Sequence, residues 1–179
     1  SVSYAEDGDR LYCFIVTYQE AINLDPLFKI DVTDPGNMKV KGLVSVDGFS
    51  SYTINFEGGY TVGVGEDGAG GIKISLFATE KDLPREINSF VKNNAYSEAT
   101  DNSKAFCVDK SRKLFAVPII EIVDAATLTE RLYFYRITDE GELEELGFVE
   151  NRESFAYQSE SEIRVQDLYL RRAFFGENF

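Results

Sequence analysis

A strand that runs into threonine and an acidic residue, then turns into a second strand, occurs three times in this chain, and no other feature narrows the fold as much. The clearest copy is Leu27 to Lys41, LFKIDVTDPGNMKVK. Phe28, Ile30 and Val32 alternate with Lys29 and Asp31, the period-2 pattern of a half-buried β-strand. Thr33, Asp34, Pro35, Gly36 and Asn37 then supply turn chemistry, and Met38, Val40 and Gly42 open a second alternation. Aligning Ile30 with Leu76 (30 to 76, an offset of 46) brings Thr33-Asp34 onto Thr79-Glu80, and aligning it with Tyr135 (30 to 135, an offset of 105) brings the same pair onto Thr138-Asp139. Hydroxyl and carboxylate both cap turn amides, so the recurrence has a structural reason.

What lies between the copies repeats as well. Phe49-Ser50, Tyr96-Ser97 and Phe155-Ala156 each place an aromatic and a small residue at the start of a further strand pair. Four strands per unit at a spacing of about 40 to 50 residues is the signature of propeller blades. The expected fold is therefore all-β, an antiparallel, β-propeller-like arc of four-stranded blades. The 179 residues then form one domain, with a partial blade at 11–46, blades at 49–91 and 96–149, and the start of a further blade at 155–179. Residues 1–10 read as an acidic, frayed entry, which leaves the first blade three strands. The extra length of the third unit, about a dozen residues, is expected near Glu121 to Glu130. Pro118 has no N–H and should mark a strand edge or a bulge.

Composition removes whole classes of function. There is no histidine, which excludes Ser-His triads and His-ligated zinc. Thirty-one acidic against eighteen basic residues give a net charge of −13, which repels nucleic-acid backbones and anionic lipid surfaces. No apolar run approaches the roughly 20 residues of a membrane span, and nothing at the start of the sequence reads as a secretory signal. Cys13 and Cys107 sit in apolar alternations and read as small buried thiols, with a disulfide between them left open.

Several motifs invite chemistry. Gly63-Val64-Gly65-Glu66-Asp67-Gly68 has dinucleotide-loop spacing, but the alternating residues after it predict a strand where a pyrophosphate site needs a helix. Asp31 with Asp34, Glu66 with Asp67, and Asp7 with Asp9 are acidic loop pairs, too few for the six to eight oxygens of a calcium site and better read as turn carboxylates. No metal site or cofactor is assigned. Glu98 and Asp101 near the start of an inner strand are a carboxylate pair of the kind glycosidases use. Phe49, Tyr52, Tyr96, Phe155 and Tyr157 fit a ligand platform on a channel rim and fit core packing between blades equally. With Glu98, they are the candidate binding residues, and no catalytic residue is assigned. Arg171-Arg172 is a doubled basic pair suited to carboxylates across blades.

The segments FKIDVTDPGNMKVKG, GIKISLFATEKDLPREINSFV, AYSEATDNSKAFCVDKSRKLFAVPI and LRRAFFGENF, taken in order, resemble the secreted bacterial β-propeller domain family that is distantly related to WD-40 repeats. The likeness runs from about Leu11 onward. The second copy of the turn departs in lacking Asp-Pro, and the third has Gly141-Glu142 there. The resemblance implies a bacterial, extracellular or cell-surface protein without defined enzymatic activity. It also implies more repeats than fit here, so that this chain is a piece of a larger propeller. The expected function is a non-catalytic binding or scaffolding module for a protein or carbohydrate ligand, with uncovered blade faces open to self-association. The alternatives are an extracellular carbohydrate-active hydrolase or lyase using paired carboxylates, and a calcium-stabilised structural domain.

Overall fold

The structure is a computed structural model that describes residues 1–17, 24–81, 83–124, 127–151, 155–159 and 162–166. The described residues form antiparallel sheets in chain order. Sheet 1 holds β1 (Val2–Asp7), β2 (Arg10–Val16), β3 (Leu24–Asp31) and β4 (Lys39–Asp47), paired in that sequence. Sheet 2 holds β5 (Phe49–Phe56), β6 (Tyr60–Glu66), β7 (Ile72–Ala78) and β8 (Arg85–Lys92) in the same meander. In sheet 3 the first strand is split into β9 (Ala95–Tyr96) and β10 (Cys107–Asp109), both on β11 (Leu114–Ile122), followed by β12 (Leu128–Ile137) and β13 (Leu143–Asn151). A hairpin of β14 (Phe155–Ser159) and β15 (Glu162–Gln166) opens the fourth.

Two expectations are corrected here. Val2–Asp7 is a strand, paired with β2 from Val2↔Ile15 to Asp7↔Arg10, so the first sheet has four strands and no frayed entry. Its acidic residues misled because Val2 and Tyr4 alternate with polar or small neighbours on a strand solvated at its end. The extra length of the third unit lies mainly in its first strand, where residues 97–106 separate β9 from β10 while β5 runs unbroken. Only a lesser part lengthens the β11–β12 hairpin.

One irregularity recurs in all three complete sheets. The ladder between third and fourth strands shifts between Lys29 and Ile30, between Leu76 and Phe77, and between Phe134 and Tyr135. Lys41, Ile87 and Leu146 are the bulged residues opposite. These positions stand 47 residues (29 to 76) and 105 residues (29 to 134) apart. The backbone agrees: Val32, Thr79 and Ile137 donate to the carbonyls of Leu11, Gly59 and Lys113 respectively. Thr79 therefore occupies the place of Val32, and the second turn copy is one residue out of the register its sequence suggests. Its reversal is tight because Gly59 has φ +75° and a Cβ there would lie 2.6 Å from Glu80.

The sheets stack head to tail, sheet 1 presenting the face that carries Phe14 to sheet 2, and sheet 2 the face that carries Val62 to sheet 3. Their first strands converge, with the Ser3 and Thr53 hydroxyls of β1 and β5 2.9 Å apart. The two seams differ in chemistry. Between sheets 2 and 3, Val62, Val64, Ile72, Ile74 and Leu76 meet Phe115, Val117, Ile119, Tyr133 and Tyr135, with Phe56 and Phe115 rings 6.0 Å apart. Between sheets 1 and 2, Tyr12, Phe14, Val16 and Leu27 meet Phe77 beside a buried polar row. There Thr61 donates to Asn55 at 2.7 Å, and Asn55 to Ser3 at 3.0 Å. Lys29, 2% exposed, takes the place that Leu76 and Phe134 fill in the other sheets. Its ammonium donates to the carbonyls of Thr79 at 2.6 Å and Lys81 at 3.0 Å and lies 4.2 Å from the Tyr12 ring centre. A buried cation is tolerated only when so saturated.

Cys13 is buried and Cys107 half-buried, and no disulfide joins them. The Cys13 thiol is pushed up, chiefly by burial.

Candidate functional site

The most irregular backbone in the three sheets lies at the start of the third, where its first strand leaves the ladder. Tyr96 and Ala95 pair with Ile120 and Glu121, after which the chain departs and returns at Cys107 opposite Ala116. Pro118 faces this gap, where a missing N–H costs no ladder bond, and its carbonyl accepts from the buried Ser97 hydroxyl. That is how a proline sits inside a long strand: its inner neighbour is locally absent, as a strand edge requires.

Two 3-10 turns, Glu98–Thr100 and Ser103–Ala105, fill the gap. Ser97 caps the first by accepting from the Ala99 N–H at 3.1 Å, and Asn102 caps the second by accepting from Lys104 at 3.1 Å. The Asn102 amide also donates to Glu98 Oε1 at 2.8 Å, which joins the turns. Ala99 and Ala105 are fully buried where the turns press on the sheets, and Phe106 stacks on Phe115 at 5.3 Å. Alanine suits both places because the turn must lie close against neighbouring backbone.

Three of the six candidate residues come to this rim. Glu98 begins the first turn, half-buried, with its carboxylate tied to Asn102. Tyr52 on β5 is half-buried, and its hydroxyl donates to the Asp101 carbonyl at 3.5 Å. Tyr96 precedes the cap and is 42% exposed; burial first, then the Glu130 carboxylate, push its phenol up. The Asp101 carboxylate is exposed, 3.5 Å from the Thr100 hydroxyl. Phe49, Phe155 and Tyr157 begin or lie on β5 and β14, but their side chains, like Arg171 and Arg172, lie outside the described residues. Pro118 marks a local strand edge, as its missing N–H predicts, whereas Ser97 and Asn102 cap the rim's turns and were not anticipated in that role. The signal for them was Ser-Glu-Ala-Thr followed by Asp-Asn-Ser, two cap-forming runs in succession.

Chemically the rim offers two phenols, two carboxylates and an amide on a rigid wall. The other acidic pairs serve turns. Asp31 accepts from the Thr33 N–H at 3.1 Å, Asp34 from Gly36 at 2.9 Å, and Asp67 from Ala69 and Gly71 at 2.8 Å each. Among the described residues, no three Asp, Glu or Cys side chains converge as a metal site. The Gly63–Gly68 stretch ends β6 and leads into β7, a strand, as its alternation predicts.

A family model described as a β-propeller domain matches residues 7–179. An uncharacterised protein of Methanocaldococcus jannaschii is 34% identical over 122 residues, covering 63% of this chain and 19% of that protein. An uncharacterised protein of Archaeoglobus fulgidus is 34% identical over 113 residues, covering 63% and 17%. Both relatives are archaeal, whereas the resemblance in sequence implied a bacterial source, and the chain spans less than a fifth of either. A crystal structure of a Lactobacillus plantarum protein matches with a TM-score of 0.42 and 13% identity, over 76% of this chain and 52% of that one. With three four-stranded sheets stacked head to tail and a family match from residue 7 to the last, the chain belongs to the β-propeller domain family.

Proposed function

We propose that this arc is a non-catalytic, extracytoplasmic binding module that presents the rim around Tyr52, Tyr96 and Glu98 to a carbohydrate or protein ligand. The observation that carries the reading is the broken first strand of sheet 3. A strand lining the convergent edge gives up its ladder for two capped turns, and those turns set polar side chains beside two tyrosines. Exposed aromatics beside fixed carboxylates and amides suit sugar hydroxyls, which want flat apolar contact and directional hydrogen bonds together. The carboxylates of Glu98 and Asp101 are engaged within the turns, which favours recognition over hydrolysis.

A glycan array probed with the labelled chain, followed by calorimetric titration of the best oligosaccharide, tests this. Tyr52→Ala and Tyr96→Ala are each expected to weaken binding by about tenfold, in line with the loss of a central aromatic anchor. An array without hits removes the carbohydrate reading, and steady release of reducing sugar from a bound oligosaccharide removes the non-catalytic one.

A further inference from the structure

Lys29 reaches across the seam of sheets 1 and 2 to the turn that joins β7 to β8. Its ammonium donates to the Thr79 carbonyl at 2.6 Å and the Lys81 carbonyl at 3.0 Å, with the Glu80 carbonyl at 3.4 Å. Three successive carbonyls of one turn therefore converge on one nitrogen. The Tyr12 ring, its centre 4.2 Å away, covers a further side with the electron-rich face that attracts a cation.

The turn is held in this shape by bonds that do not involve the lysine. The Thr79 N–H and hydroxyl both donate to the Gly59 carbonyl, at 2.7 and 3.0 Å, and the Thr61 hydroxyl lies 3.3 Å from that of Thr79. Gly59 lets the turn close down, since a Cβ there would strike Glu80. In sheet 3 the corresponding turn is used differently, its Thr138 carbonyl accepting from the Gly141 N–H at 3.0 Å. The first seam thus pairs a lysine with a converging turn. The second has Leu76 at the lysine's place and a turn that closes on itself.

We propose that the Thr79–Lys81 turn is a receptor for a primary ammonium, filled in cis by Lys29, and that this pairing is the lock by which sheet 2 accepts sheet 1. An ammonium presents three N–H donors from a compact point charge, which suits carbonyls that converge. A guanidinium spreads its donors in a plane and does not fit the same point. Because Gly59 and Thr61 hold the turn, it stays formed when the lysine is shortened, and the emptied place takes a free alkylammonium. A cavity of about 320 Å³, which Lys29 borders with Tyr12, Phe14, Gly59, Thr79 and Glu80, gives such a molecule its way in.

Chemical rescue in the full 179-residue chain tests the proposal, with thermal midpoints compared at constant ionic strength. Lys29→Ala is expected to melt about 5 to 10 °C below the native chain. Propylammonium chloride, which replaces the atoms removed, is expected at about 0.1 M to restore at least about half of that loss. At the same concentration 1-propanol and tetramethylammonium chloride restore less than about a tenth of it, and propylammonium moves the native chain, whose site is filled, by less than about 1 °C. Lys29→Leu and Lys29→Arg keep the seam filled and carry the test without a cavity. Each is expected to speed amide exchange across β1–β4 by at least about tenfold while β11 and β12 stay within about twofold. Equal rescue by propylammonium and 1-propanol, rescue by tetramethylammonium, a Lys29→Leu or Lys29→Arg chain as protected as the native one, or exchange that rises equally in all three sheets would each overturn the proposal.

Discussion

Lys29 and Asp109 show how single side chains are set by what surrounds them. Lys29 occupies a position that is leucine or phenylalanine in the other sheets, and its ammonium joins the buried polar row that tells the first seam from the second. Lys29→Met keeps the apolar stem and removes the donors, leaving the Thr79 and Lys81 carbonyls short of partners. The expected loss is about 1 to 3 kcal/mol, read as a lower urea midpoint at an unchanged slope. Leu76→Met, at the equivalent place, is expected to cost less than about 1.5 kcal/mol. Asp109 belongs to a turn. The Ser111 hydroxyl first, then the Arg112 side chain and backbone N–H, hold its carboxyl down to about 2 from the usual 3.8. A depressed carboxyl stabilises the fold where it is ionised in both states, and that contribution falls away as pH drops from about 4 to about 2. The stability gap between the native chain and Asp109→Asn should therefore be constant above that window and close within it, as acid titrations followed by circular dichroism would show.

At the scale of elements, the capped turns are the part most exposed to a single change. Ser97→Ala removes both the cap of the first 3-10 turn and the donor to the buried Pro118 carbonyl. The cost is expected to be about 1 to 2 kcal/mol, and amide exchange should rise first at Ala99 to Asn102. The strands themselves were legible: alternation such as Phe28-Ile30-Val32 or Ile72-Ile74-Leu76 depends only on one wet and one dry face. The split strand was not, because Tyr96 through Phe106 holds no strict period of either kind and its caps stabilise only two short turns. Val2–Asp7 was hidden for a different reason. Its polar residues are correct for a strand solvated at one end, and only its partner β2 makes that visible. Of the site, the sequence pointed to Tyr52, Tyr96 and Glu98 through their position after each repeat. It could not show that Asn102 would tie down Glu98, since that bond exists only once the turns have closed.

For the molecule as a whole, the two seams make the arc uneven. The second is dense with stacked rings, and the first rests on small polar side chains and one lysine. Hydrogen exchange under native conditions is expected to show sheet 1 opening at lower free energy than sheets 2 and 3, while uniform protection across all three would contradict it. The far side of sheet 1 carries Val2, Tyr4, Val40 and Leu43, exposed where the corresponding faces of sheets 2 and 3 are covered by the preceding sheet. The isolated chain is expected to associate with itself through that face, and Val40→Lys with Leu43→Lys to restore the monomer mass in sedimentation velocity. The bulges at Lys41, Ile87 and Leu146 bear on how such a molecule can be altered. Each fourth strand is in effect read in two frames: Glu145 looks inward on one side of the bulge and Phe148 on the other, three residues on rather than two. Deleting the bulged residue would not shorten a strand so much as rotate half of it, moving its side chains to the opposite face of the sheet. A blade of this kind can be exchanged or extended only as a unit that carries its frame change with it.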